Sequence, residues 1–158
     1  MLQRTYPDQS CSIARTLEVV GERWTLLVLR DALFGLRRFD EFRSSLGIAS
    51  NVLAARLDRL CDEGLLERRP YQTRPERHEY LLTEKGRDLA PALLMLMRWG
   101  DRHYPDPAGP PRLAEHADCG GEIEHTIGCR RCGESVGESV GFEAIALRPG
   151  PAHAPRGA

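Results

Sequence analysis

The sequence predicts a mainly α-helical protein with a small β-hairpin and a short Cys-rich, ribbon-like appendage toward its C-terminus. Three observations carry that expectation. Residues 11–104 place apolar side chains at helical spacing and are punctuated by Gly21, Gly35, Gly47 and Gly64. After Gly64 the helical period gives way to two short extended runs. From Pro105 the composition turns Pro-rich, then Gly- and Cys-rich. The domain plan is therefore a helical domain over 1–104, a Pro-rich linker over 105–112, a Cys-rich appendage over 113–147 and a disordered tail over 148–158.

Each element has a local reason. Ser10 is placed to cap a first helix that carries Ile13, Leu17 and Val20 on one stripe and stops at Gly21. A second helix, Trp24 to Leu33, contains Leu26-Leu27-Val28-Leu29, apolar on all sides, and is expected at the centre of the core, with Gly35 ending it. Phe39, Phe42 and Leu46 mark a short third helix stopped by Gly47. Ser50 or Asn51 opens a fourth, which turns Leu53, Leu57, Leu60 and Cys61 inward and stops at Gly64. Leu65–Arg69 and Arg77–Leu82 are extended candidates around a loop, Pro70 to Glu76, longer than a tight two-residue turn. Thr83 caps a final long helix to about Tyr104, with Pro91 expected to kink it.

The order of four helices, hairpin and helix suggests a winged helix-turn-helix. In that arrangement helix 39–46, the turn at Gly47-Ile48-Ala49 and helix 50–63 form the unit that enters a DNA major groove. The groove-facing candidates are Ser50, Asn51, Ala55, Arg56 and Arg59. Asp58, Asp62 and Glu63 would repel phosphates, so only the first two turns are expected in the groove. Between residues 68 and 77 the hairpin holds Arg68, Arg69, Arg74 and Arg77 against the single acid Glu76, a local charge of +3 suited to a phosphate backbone or a minor groove. Cross-strand pairs of Glu67 or Glu79 with arginines are the alternative use of the same charges.

Several segments, taken in order, carry a family resemblance: Cys11 to Leu17, Gly21-Glu22-Arg23-Trp24-Thr25, Arg38-Phe39-Asp40-Glu41-Phe42, Leu53 to Leu60, Glu63-Gly64-Leu65-Leu66-Glu67-Arg68 and Glu79 to Gly86. Residues 11 to about 104 thereby resemble the HxlR-type transcriptional regulators, winged-helix relatives of the MarR group. The resemblance implies a homodimeric DNA-binding regulator, often a repressor. The chain departs from many relatives in lacking a Lys near Asn51 and polar residues near Ala54 and Ala55, so its recognition helix offers fewer hydrogen-bond donors. The resemblance also points to Cys11 as a sensor of electrophiles or oxidants. The physical setting agrees, since unpaired amides at a helix start stabilise a thiolate and Arg15 lies one turn on; a small, buried packing cysteine is the alternative. A small-molecule or electrophile effector is the corresponding partner.

The homodimer has support of its own, because Leu93-Leu94-Met95-Leu96-Met97 is apolar on every side of its helix and Trp99 extends that surface. A two-fold dimer presents its recognition helices about 34 Å apart and calls for a pseudo-palindromic operator in double-stranded DNA.

The appendage holds His116-Ala117-Asp118-Cys119-Gly120 and Cys129-Arg130-Arg131-Cys132-Gly133, two knuckle-like turns of the form ligand-x-x-Cys-Gly. His116, Cys119, Cys129 and Cys132 are a Cys3His set suited to a structural, tetrahedral Zn2+. His125 is the alternative to His116, and a metal-free hairpin with reduced thiols is the alternative to both.

The remaining composition sets bounds. With 158 residues, 41% hydrophobic and 28% charged, the chain can form a core, and its net charge of −1 excludes a uniformly basic nucleic-acid coat. The longest apolar run, Leu89 to Met97, is far shorter than the ~20 residues of a membrane span, and no signal-peptide core opens the chain, so a cytoplasmic protein without membrane contact is expected. No phosphate loop, G-x-S-x-G elbow or H-E-x-x-H run points to an enzyme, and His78 and His103 stand isolated. The competing class is a zinc-dependent protein-interaction module without DNA binding, from which salt-sensitive DNA affinity separates the regulator.

Overall fold

The computed structural model describes residues 5–6, 11–123 and 127–136, and the chain divides into two compact units, Met1–Pro111 and Arg112–Ala158. The tail expected over 148–158 lies outside the described residues.

The first unit runs α1 (Ser12–Val20), α2 (Thr25–Leu33), α3 (Phe39–Leu46), α4 (Ser50–Asp62), β1 (Leu66–Thr73), β2 (Glu76–Leu82), α5 (Glu84–Arg87) and α6 (Ala90–His103). Its core gathers Val28 and Leu29 of α2, Phe42 of α3, and Leu53, Leu57 and Leu60 of α4 under Leu65, Leu66 and Tyr80 of the hairpin. Each fully buried leucine contributes on the order of 1.5–3 kcal/mol, so the inward stripe of α4 fixes which of its faces points out.

The turn between α3 and α4 follows from Gly47, whose φ of +61° lets the chain leave α3 in a left-handed cap. At the other end of α3, Glu41 accepts hydrogen bonds from the amides of Arg37 and Arg38, both at 2.9 Å. Those two amides hold the Glu41 carboxyl below the usual carboxylate range.

Several expectations are corrected. The N-cap residue of α1 is Cys11, while Ser10 falls outside the described residues. Within α1, Ala14 and Val20 are buried whereas Ile13 and Leu17 are exposed, so the helix turns much of its apolar stripe away from the core of its own chain. α2 is not buried all round, since Leu27 and Phe34 at its end are exposed.

The hairpin is longer and tighter than expected. Strand pairing continues through Pro70↔His78 to Thr73↔Glu76, leaving Arg74-Pro75 as the turn. Pro70 is tolerated because β1 pairs only with β2 and its other side is an edge, and a register shift between Pro70 and Gln72 accommodates Tyr71.

The long helix expected from Thr83 is two helices. Thr83 caps α5 by accepting from the Gly86 amide at 3.1 Å. The chain then breaks, and Pro91 sits in the first turn of α6. There a missing N–H costs nothing, whereas a continuous helix would have set the proline ring against a carbonyl one turn back.

The described residues of the second unit form two small hairpins. One has the bridge Glu115↔Glu122, and the other pairs β3 (Ile127–Gly128) with β4 (Ser135–Val136). Among the described residues, no helix is long and apolar enough to cross a membrane.

Candidate nucleic-acid interface

The outward face of α4 is set by its buried leucines. Ser50, Asn51, Ala55 and Arg59 are exposed on it, and Arg59 also reaches Glu63 at 2.8 Å. Arg56 goes elsewhere. Its side chain is only 16% exposed and forms an ion pair with Glu22 in the turn between α1 and α2. The helical register that faces Leu53 and Leu57 inward carries Arg56 to the flank, where a carboxylate is available, and the base-reading role expected for it is dropped.

The hairpin arginines divide in the same way. Arg68 is ion-paired with Asp58 of α4 and stands over the Tyr80 ring, its guanidinium 5.7 Å from the centroid, so it ties the base of the hairpin to the recognition helix. Arg69 leans on Glu67 at 3.4 Å, an exposed pair worth little. Arg74 in the turn and Arg77 on β2 are exposed at the tip. Asp58 thus holds an arginine rather than facing a phosphate.

Two further groups were missed from the sequence. The amide of Tyr80 donates to Arg37 O at 2.7 Å and Arg38 bridges to Glu79, so the chain before α3 adds a short third edge to the hairpin. Arg38 thereby comes to lie 4.6 Å over the ring of Tyr71. A pairing between residues so far apart in the chain leaves no local sequence signal.

An apolar groove of about 530 Å³ lies between α2 and α6, lined by Leu26, Leu27, Phe34, Leu93, Leu96 and Met97 among others. Leu96 is 54% and Trp99 55% exposed, and none of the side chains of α6 is buried.

Cys11 has its backbone extended at the N-cap of α1, with no side-chain capping bond of ordinary geometry. The amides of Ala14 and Ile13 face its sulfur and, with Arg15, lower the thiol below its usual range. Cys61 differs, since burial raises its thiol.

In the second unit His116 Nδ1 lies 3.4 Å from Cys119 Sγ. The amides of Cys132 and Arg131 point at the Cys129 sulfur and lower that thiol. Among the described residues, no group of three or more His, Cys, Asp or Glu side chains converges on one point. His125 lies outside the described residues.

A helix-turn-helix whose outward helix is braced by an arginine-bearing hairpin defines a winged helix-turn-helix DNA-binding protein. The profile of the HxlR-like helix-turn-helix family matches residues 19–107, and the chain belongs to that family. It is 50% identical over 125 residues to the HTH-type transcriptional regulator Rv3095 of Mycobacterium tuberculosis, covering 79% of each chain. The crystal structure of PA1607, described as a transcription factor, superposes with a TM-score of 0.78 at 34% identity over 89% of this chain and 96% of that one. The redox regulator HypR in its reduced form matches at a TM-score of 0.55 and 33% identity over 59% of this chain and 95% of its own, and HypR has also been solved oxidised. The protein is a DNA-binding transcriptional regulator.

Proposed function

We propose that the protein is a homodimeric repressor that places the first two turns of α4 in the major groove and the hairpin tip on the backbone or minor groove of a pseudo-palindromic operator. The observation that carries this reading is the exposure of Ser50, Asn51 and Ala55 on the face of α4 opposite its buried leucines, while Asp58 is taken up by the base of an arginine-tipped hairpin. Ser50 and Asn51 are the base-edge contacts, and Arg59, Arg74 and Arg77 serve phosphates. The two-fold partner is a second copy seated on the exposed apolar surfaces of α1, α2 and α6. Repression rests on the family likeness.

The test is selection of binding fragments from genomic or random DNA, followed by anisotropy titrations at several salt concentrations. Arg74→Ala is expected to weaken binding to all sequences and to lower the salt slope by about one. Asn51→Ala is expected to cost about 1–3 kcal/mol at one base position and to leave the slope unchanged. Salt-insensitive or absent DNA binding by the unaltered protein defeats this reading and favours a protein-interaction module.

Regulation is proposed to enter through Cys11. Its thiolate adds to an electrophile such as a quinone, forming a carbon–sulfur bond, and protons from solvent complete the hydroquinone thioether. The N-cap geometry supports this, as does the likeness to a redox regulator known in two oxidation states. Quinone treatment should release DNA from the unaltered protein and leave Cys11→Ser bound; equal release from both rejects Cys11 as the sensor.

A further inference from the structure

The two hairpins of the second unit are one structure written twice. A shift of thirteen positions carries residues 114–123 onto 127–136, and it carries the hydrogen bonds with them. Gly120 N–H donates to His116 O at 2.8 Å, and Gly133 N–H donates to Cys129 O at 2.9 Å. His116 N–H donates to Gly121 O, and Cys129 N–H to Glu134 O, both at 2.8 Å. The bridge Glu115↔Glu122 corresponds to the pair Gly128↔Ser135. Gly120 and Gly133 both take the left-handed conformation, with φ of +68° and +73°. Each hairpin therefore ends in the same knuckle. The first and fourth residues of the knuckle are His116 and Cys119 in one copy, Cys129 and Cys132 in the other.

In the first knuckle the side chains already stand at the spacing of two ligands on one ion. Zinc takes a thiolate at about 2.3 Å and an imidazole nitrogen at about 2.0–2.1 Å, so a tetrahedral angle puts the two donors about 3.5 Å apart. His116 Nδ1 and Cys119 Sγ are 3.4 Å apart. The other ring nitrogen, Nε2, faces Asp118 Oδ2 at 4.0 Å, on the side where a ligating imidazole needs an acceptor for its N–H. In the second knuckle the amides of Arg131 and Cys132 point at the Cys129 sulfur, as amides do around a thiolate ligand. All three sulfurs are exposed.

We propose that the two knuckles close on a single structural Zn2+ held by His116 Nδ1 and the thiolates of Cys119, Cys129 and Cys132. Binding replaces three thiol protons, which leave to solvent, and gives a Cys3His centre of charge −1 flanked by Arg130 and Arg131. The four side chains would fill all the coordination positions of the ion and leave none for catalysis. The ion is also the closing element of a segment whose described residues form two short hairpins with no buried apolar side chain among them, which is the situation in which metal and fold form together.

The test uses the full chain, purified in reductant and reconstituted with zinc, followed by dialysis. Elemental analysis should find about one zinc per chain, and a thiol-blocking mercurial should release it to a chromogenic chelator. Cobalt substitution should give the intense ligand-field bands of a tetrahedral site together with thiolate charge transfer. Cys119→Ser with Cys129→Ser should abolish stoichiometric binding, whereas Cys11→Ser and Cys61→Ser should retain it. His116→Ala should shift cobalt toward weaker, altered bands, and His125→Ala should leave the spectrum unchanged. Zinc well below one per chain after reconstitution, retention by the double variant, or dependence on His125 in place of His116 each overturns the proposed site. So does a Cys129–Cys132 disulfide that persists in reductant.

Discussion

Arg56 shows how much a charge is worth depends on where the helix turns it. Held mostly out of solvent and paired with Glu22, it ties α4 to the turn between α1 and α2. Removing it strands a partly buried carboxylate, so Arg56→Ala is expected to lower stability by about 1–3 kcal/mol, below the range for a fully buried pair because Glu22 stays partly hydrated. Urea unfolding measures this, and base preference should be unchanged. If Arg56→Ala altered base preference at full stability, Arg56 would belong in the groove after all. The two cysteines of the first unit make a second contrast. Amides of Ala14 and Ile13 favour the Cys11 thiolate, whereas burial disfavours that of Cys61. Because the thiolate is the nucleophile, alkylation of Cys11 should rise at lower pH than that of a free thiol, and Cys61 should lag both. Mass-resolved labelling across a pH series reads the order; labelling of Cys61 first would contradict these environments.

At the scale of elements, much of the first unit is legible because glycine and leucine spacing act locally. Gly47 and the leucines of α4 announce the turn and the buried face without reference to the rest of the chain. What escaped depends on partners distant in sequence. The hairpin extends through Pro70 because no third strand needs its N–H, and only the three-dimensional pairing reveals that. Arg38 reaches Tyr71, and Arg56 reaches Glu22, across folds of the chain that periodicity does not encode. The break before α6 is a matter of competing reads of Pro91, as a kink or as a first-turn residue. The close approach of α5 to the chain just before β1 was likewise unreadable: a Cβ on Gly86 would lie 2.2 Å from Leu65 O. Since backbone cannot yield as a side-chain end can, Gly86→Ala is expected to cost about 1–3 kcal/mol by overpacking. Gly47→Ala meets no neighbour, so its cost of about 1 kcal/mol should come only from the left-handed backbone. Thermal unfolding of the two variants should rank them in that order, and the reverse ranking would place the strain in the turn instead.

For the whole molecule, the decisive quantity is apolar surface that one chain leaves uncovered. Ile13 is 70% and Leu96 54% exposed, and the groove between α2 and α6 lies open beside Phe34. A stable pair of protomers buries about 1,200–2,000 Å² in total, and these surfaces offer the apolar centre such an interface requires. Leu96→Glu puts a charge into that centre at a half-exposed position outside the buried core of its own chain. The variant should keep its helical circular dichroism and its unfolding midpoint at low concentration, yet sediment as a monomer. DNA affinity should then fall by about 10²-fold or more, because the second half-site no longer benefits from being tethered to the first. The proposed two-fold dimer also constrains the DNA. Inserting about five base pairs between half-sites turns them to opposite faces of the duplex, and binding by the unaltered protein should drop to the level of a single half-site. Sedimentation and anisotropy together decide the matter: a Leu96→Glu protein that remains dimeric places the interface elsewhere, and indifference to half-site spacing removes the rigid two-fold arrangement of recognition helices.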